Sequence, residues 1–108
     1  MSNTIESASI FSAAENVDYA EKSVVSKTII KKPNGTVTIF SFDKGEGLSE
    51  HSAPHEALIQ IIDGAAEISI GGQPYILLAG QCIILPANIP HSLKATEKFK
   101  MILTMIKG

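Results

Sequence analysis

The sequence predicts an all-β fold, a sandwich or a closed barrel, and three observations carry the prediction. From Val24 onward, short runs rich in β-branched and aromatic residues, such as SVVSKTIIKK and TVTIFSFDK, follow one another with no helical period. Gly and Pro residues and the pairs Asn-Gly and Asp-Gly interrupt these runs about every eight to twelve residues, which is the punctuation of strands joined by tight turns. Within the runs apolar residues alternate with a period of two. In HEALIQII, for example, Ala57, Ile59 and Ile61 share one side, with Leu58, Gln60 and Ile62 on the other. About eight strands fit the chain on this pattern.

Bulk properties narrow the class further. A chain of 108 residues is the size of one small domain with a single core. Its composition, 44% hydrophobic and 19% charged, is that of a globular protein rather than a disordered or fibrous one. Net charge is −2, and the nine basic residues are all Lys. Without an Arg to grip phosphate through two parallel hydrogen bonds, no nucleic-acid partner is expected. Cys82, the one cysteine, sits beside Ile83, Ile84 and Leu85 and reads as a small buried hydrophobe in a reducing compartment. The opening MSNTIESASIF lacks the basic and apolar regions of a secretory leader, and no apolar run approaches a membrane span. A cytoplasmic protein with no membrane partner is the expectation.

Taken in order, residues 1–23 form a lead-in arm and residues 24–108 the barrel. The arm carries Phe11 and Val17, placed to dock on the body or on a second subunit, and a short helical turn fits Ala13 to Asn16. Pro33-Asn34-Gly35 then separates the first two strands, and Asn34-Gly35 supplies the positive-φ pair that a two-residue hairpin uses. In the second strand Val37, Ile39 and Ser41 share one face and Thr38, Phe40 and Phe42 the other. Both faces are partly apolar, so a cover is expected on each, a second sheet on one and a partner subunit on the other.

Gly45 and Gly47 mark a corner before Leu48, and Asp63-Gly64 reads as a hairpin corner between HEALIQII and AEISI. GGQP, YILLAG, QCIILP and PANIPHSL follow as short strands and corners. The chain closes on FKMILTMIK, in which Met101, Leu103 and Met105 oppose Ile102, Thr104 and Ile106.

All three histidines fall in two segments, EHSAPHEALIQIIDG from Glu50 and AGQCIILPANIPHSL from Ala79. The second runs Gly80, five residues, Pro86, Ala87, Asn88, two residues, His91. With Gly64 closing the first segment, the spacing resembles the two motifs of the cupins, small proteins built as a double-stranded β-helix or jelly-roll barrel. Asn88 stands where that family carries Gly, and Ala95 where it carries Asn. In the first motif His51 keeps its place, whereas Ala53 and Ala57 stand where a second His and a Glu would be. The resemblance covers roughly Ser26 to Lys107 and implies a barrel-mouth site for a divalent transition metal, of which this chain retains His51 and His91.

His55 offers itself as a third ligand. Side chains two apart on a strand point the same way, so His51, Ala53, His55 and Ala57 nominally all face the interior, although Pro54 marks a place where the alternation can turn. Three imidazoles with open positions would suit Zn, Fe, Ni or Cu better than Mg or Ca, and the resemblance adds Mn to the candidate ions. The expected metal set is therefore His51, His55 and His91, and the expected pocket lining is Ala53, Ala57 and Ile59.

Two classes of function follow. One is a metal-dependent cupin acting on a small molecule, as the dioxygenases, isomerases and decarboxylases of the family do. The other is a metal-free sensor or carrier, whose cavity is widened by alanines at the ligand positions and holds an apolar small molecule. Either is expected to work as a two-fold homodimer.

Overall fold

The computed structural model describes residues 5–107, so the first four residues of the arm and Gly108 lie outside it. A single turn of 3-10 helix, Ala14–Asn16, precedes eight strands: β1 Val24–Lys32, β2 Gly35–Phe42, β3 Gly47–His51, β4 Glu56–Ile70, β5 Gln73–Leu78, β6 Cys82–Leu85, β7 His91–Lys94 and β8 Phe99–Ile106. All pairings are antiparallel. One curved sheet runs β1-β2-β8-β4-β6, and the other runs β5-β4-β7-β3.

The two sheets share β4, and this sharing closes the barrel. Its first half pairs with β8 and β6, its second with β5 and β7. The hairpin corner expected at Asp63-Gly64 is instead a bend inside one 15-residue strand, with a shift of register between Ile61 and Asp63. Glycine is required here. Gly64 has φ +74°, and a Cβ on it would fall onto the Lys98 carbonyl just before β8. The strand turns rather than breaks because one segment bonds it on either side of the bend: before it, Ile61 N–H donates to Gln81 O at 3.0 Å and its carbonyl accepts from Gly80 N–H at 2.7 Å; after it, the Gly64 carbonyl accepts from Ala79 N–H at 3.2 Å.

The first hairpin forms as expected, but its turn lies one residue earlier. Lys32 and Gly35 close the ladder, leaving Pro33-Asn34 as the turn, and neither Asn34 nor Gly35 adopts a positive φ. Proline, with φ held near −65°, sets the first corner position of an ordinary turn.

Strand alternation builds the core. Ala57, Ile59 and Ile61 of β4, Met101 of β8 and Phe42 of β2 face inward and are buried, joined by Leu85, Ile68, Leu93 and Phe99. Phe42 and Phe99 stack at 4.5 Å between centroids with planes 10° apart. Each is fully buried, and a large apolar side chain so placed contributes roughly 1.5–3 kcal/mol from surface removed from water.

On the opposite face of the same sheet Ile39 and Ser41 are also buried, at 0% and 1% exposure, yet they do not belong to this core. Their cover is the chain's own arm. Val17 is buried, and the Ser41 hydroxyl donates to the Asp18 carbonyl at 2.8 Å. Lys100 Nζ donates to the Ala14 carbonyl, and Lys27 Nζ to Asn16 Oδ1. Tyr19 completes the clasp, its hydroxyl 2.5 Å from Asp63 Oδ2 and its ring beneath the ammonium groups of Lys98 and Lys100. Burial and the neighbouring Asp63 carboxylate push its phenol well above the usual range. Phe11, by contrast, remains 42% exposed.

Cys82 is exposed rather than buried. It lies on an edge strand with outward parity, alternating with the buried Leu85, so the apolar run around it does not enclose it.

Candidate functional site

His51 ends β3 and His91 begins β7, and the two residues are cross-strand partners in the second sheet. Both local conformations have sequence causes. On the β7 side, Asn88 takes the left-handed conformation, φ 66°, at the position where Gly would otherwise be expected, and its N–H donates to the Ala53 carbonyl at 2.7 Å. That bond ties the loop before His91 to the loop after His51. The chain then enters β7 with His91 on the same face as Leu93, opposite Ile70 and Ile68 of β4. His91 is consequently buried at the rim of the core, and His51 lies exposed above it.

The rings meet edge to face, centroids 4.4 Å apart and planes at 68°, with the two Nε2 atoms 3.2 Å apart. Each ring is oriented from behind by a backbone carbonyl two residues earlier: His51 Nδ1 lies 2.7 Å from Ser49 O, and His91 Nδ1 lies 3.3 Å from Ile89 O. A carbonyl only accepts; with both Nδ1 protons on these carbonyls, neutral rings would present the two Nε2 lone pairs to each other. Two acceptors at this distance repel unless a cation stands between them. The contact is relieved by a second proton on one ring, by a metal ion facing both nitrogens, or by a neutral His91 that carries its proton on Nε2 and donates to His51 Nε2, giving up the longer contact to Ile89 O. Burial holds the His91 imidazole below its ordinary value; the nearby His51 pushes the same way, and the Ile89 carbonyl opposes both. A second proton on His91 is therefore disfavoured.

The donor geometry suits a metal at two points. Imidazole nitrogens about 2.0–2.1 Å from one ion, in adjacent positions, lie about 3.0–3.4 Å apart, which brackets the 3.2 Å found here. Ligating histidines also ordinarily give their second N–H to a carbonyl or carboxylate, as both do.

His55 does not join them. β3 stops at His51 and β4 starts at Glu56, so the alternation that would aim His55 inward is not carried through residues 52–55, where Pro54 supplies no N–H for a ladder. It lies half-buried in the bend before β4, lining a shallow groove of about 220 Å³ with Pro54, Glu56, Ala87 and Ile106. Among the described residues no group of three or more His, Cys, Asp or Glu side chains could hold an ion. Of the expected pocket lining, Ala57 and Ile59 are buried in the core cluster, at 6% and 0% exposure, and Ala53 is half-buried beside the pair.

The orienting carbonyls of Ser49 and Ile89 were not legible in the sequence. Any residue type two positions before a histidine can supply one.

A curled double-stranded β-helix defines a class of barrel proteins, and the comparisons agree on that fold. The family model for the cupin domain matches residues 38–107, and the chain belongs to that family. A conserved protein of unknown function from Streptococcus pyogenes superposes with a TM-score of 0.91 at 36% identity, over 96% of this chain and 91% of its own. A cupin 2 conserved barrel domain protein from Leptotrichia buccalis is 47% identical with a TM-score of 0.85, over 87% of this chain and 46% of that one. Quercetin 2,3-dioxygenase of Bacillus subtilis is 28% identical over 75 residues, 67% of this chain, and the chain spans 22% of that enzyme's length. Among the described residues no helix is long and apolar enough to cross a membrane.

Proposed function

We propose that this cupin binds a small molecule at its barrel mouth through a divalent transition metal held by His51 and His91. The facing Nε2 atoms, each ring oriented by a backbone carbonyl, carry this reading. In it His91 is the buried donor and His51 the exposed one. With two protein donors, Zn, Fe, Ni, Mn or Cu would keep several positions for water or for the oxygen atoms of a ligand, and when bound would supply Lewis acidity there. Ala53 and Ala57 stand where the family carries donors, so no protein ligand is offered there. Likeness to part of a quercetin 2,3-dioxygenase supports a small-molecule ligand. A cytoplasmic setting and a homodimeric assembly complete the reading.

The second reading, a metal-free sensor or carrier, is favoured by the same alanines and by the absence of a third donor among the described residues. Melting curves of protein purified without a metal-binding tag, with and without added Zn, Ni or Mn, separate the two. A rise of several degrees in the wild type that is absent in His91→Ala supports the metal. No rise with any of these ions in the wild type overturns it and leaves the metal-free binder.

A further inference from the structure

The inward face of the five-stranded sheet changes character along β2. Phe42 and Phe40 are followed, with the same parity, by Thr38 and Thr36, both half-buried, while the outward residues beside them are Ile39 and Val37. Hydroxyls turned inward and aliphatic groups outward reverse the pattern expected of a barrel wall, and such reversals mark sites. Across the ladder Thr38 pairs with Leu103 and Thr36 with Met105, and Met105 in turn pairs with Ala57. This row lies at the end of the sheet where Ile106 borders a groove with His55 and Ala87. Those two residues belong to the loops that follow His51 and precede His91. The threonines and the histidine pair thus stand at the same end of two facing sheets, which pack about 10 Å apart.

A bulge extends the row to β1. Thr28 pairs with Thr38, but Val37 pairs with Ile30, so Ile29 is an extra residue. Without it Ile30 would stand opposite Thr36 and share its inward parity. With it Lys31 takes that place and Ile30 turns outward, the kind of re-aiming that bulges perform beside sites. Lys107 supplies a second ammonium group. Its N–H donates to Asn34 O at 2.8 Å, which continues the β8 ladder and gives Lys107 the parity of Met105.

We propose that this wall receives the carboxylate of a small organic acid whose apolar body lies against Leu103 and Met105 and whose other end meets His51 and His91. The proposal rests on the reading that the mouth binds a small molecule, names the class of that molecule, and holds with or without the metal. Thr36 and Thr38 each offer one O–H donor, and Lys31 and Lys107 three N–H donors each with no acceptor. A neutral head group would leave both ammonium groups without a counter-charge, so the set selects an anion through charge-assisted hydrogen bonds. Lys31, on the free edge of β1, is exposed and also borders the groove lined by Glu6 of the arm, so a surface pairing with Glu6 is the competing role for it.

Titration with benzoate and with its uncharged isostere benzamide tests the assignment, read from backbone amide shifts in protein stripped with chelator, where a carboxylate finds no ion. Benzoate is expected to bind about tenfold tighter than benzamide, with the largest shifts at Thr36 and Thr38. Lys31→Gln should weaken benzoate by about fivefold and leave benzamide unchanged, whereas Lys32→Gln, one residue on and facing outward, should change neither. Thr36→Val should weaken benzoate by about threefold at unchanged melting temperature. Equal affinity for the two probes, binding of neither, or a benzoate preference that survives Lys31→Gln overturns the carboxylate wall. The metal is judged separately, by the rise in melting temperature with Zn. A benzoate preference as described with no Zn response leaves the wall standing and removes the metal, and a Zn response with no benzoate preference does the reverse.

Discussion

The two faces of the five-stranded sheet are made from the same strands and similar types of residue, yet they are finished differently. Inward, Ile59, Ile61, Met101 and Phe42 meet the second sheet and are sealed. Outward, Ile39 is as thoroughly buried, but beneath a clasp of backbone carbonyls, lysines and one tyrosine, and a few residues along the strands Ile84 and Ile106 are open. Apolar residues alone do not make a core; a cover does, and on the outer face that cover comes from polar contacts that position a segment with little regular structure of its own.

The comparison breaks most sharply on the inside. Phe99→Ala empties space between Phe42 and the β4 residues and should cost about 3–5 kcal/mol, read as a lower denaturation midpoint at unchanged m-value. A loss below about 1 kcal/mol would mean that the core collapses to refill the site.

Outside, Tyr19→Phe removes the hydroxyl that reaches Asp63 and leaves the ring under Lys98 and Lys100. A cost of about 1 kcal/mol is expected, with faster proteolysis at the arm and little change elsewhere. Unchanged proteolysis would show that the clasp holds without its hydroxyl.

The mouth, where sealed interior meets solvent, should give the smallest effect, visible as a slope against pH. His91 takes up a proton less readily folded than unfolded, so its stabilising contribution is complete above the unfolded value of about 6.5 and is lost as pH falls below it. His91→Gln should flatten the decline in metal-free protein. An identical decline in the variant would place the acid sensitivity elsewhere.

Much of this molecule was legible in its residues. The period-two alternation assigned the inward set on β2, β4 and β8, and the spacing from Gly80 through Pro86 to His91, with Gly64 closing the first segment, picked out the two segments whose His51 and His91 the fold brings together. Three readings failed for a shared reason: each depended on what a distant segment does. Asp63-Gly64 looks like a hairpin corner until neighbouring strands bond across it on both sides. Cys82 looks buried until β6 is seen to be an edge. His55 looks inward-facing by parity until the ladder that would enforce parity proves to be interrupted.

The sequence by itself determined the all-β class, the two faces of the main strands and the two segments that carry His51 and His91, because these follow from local backbone preference and side-chain alternation. Tertiary structure alone decided that β4 serves both sheets, that the arm rather than a partner covers Ile39, and that His51 and His91 meet while His55 stands apart. Those outcomes depend on contacts between residues tens of positions apart, and no local pattern records which of several compatible partners a strand or a side chain will find.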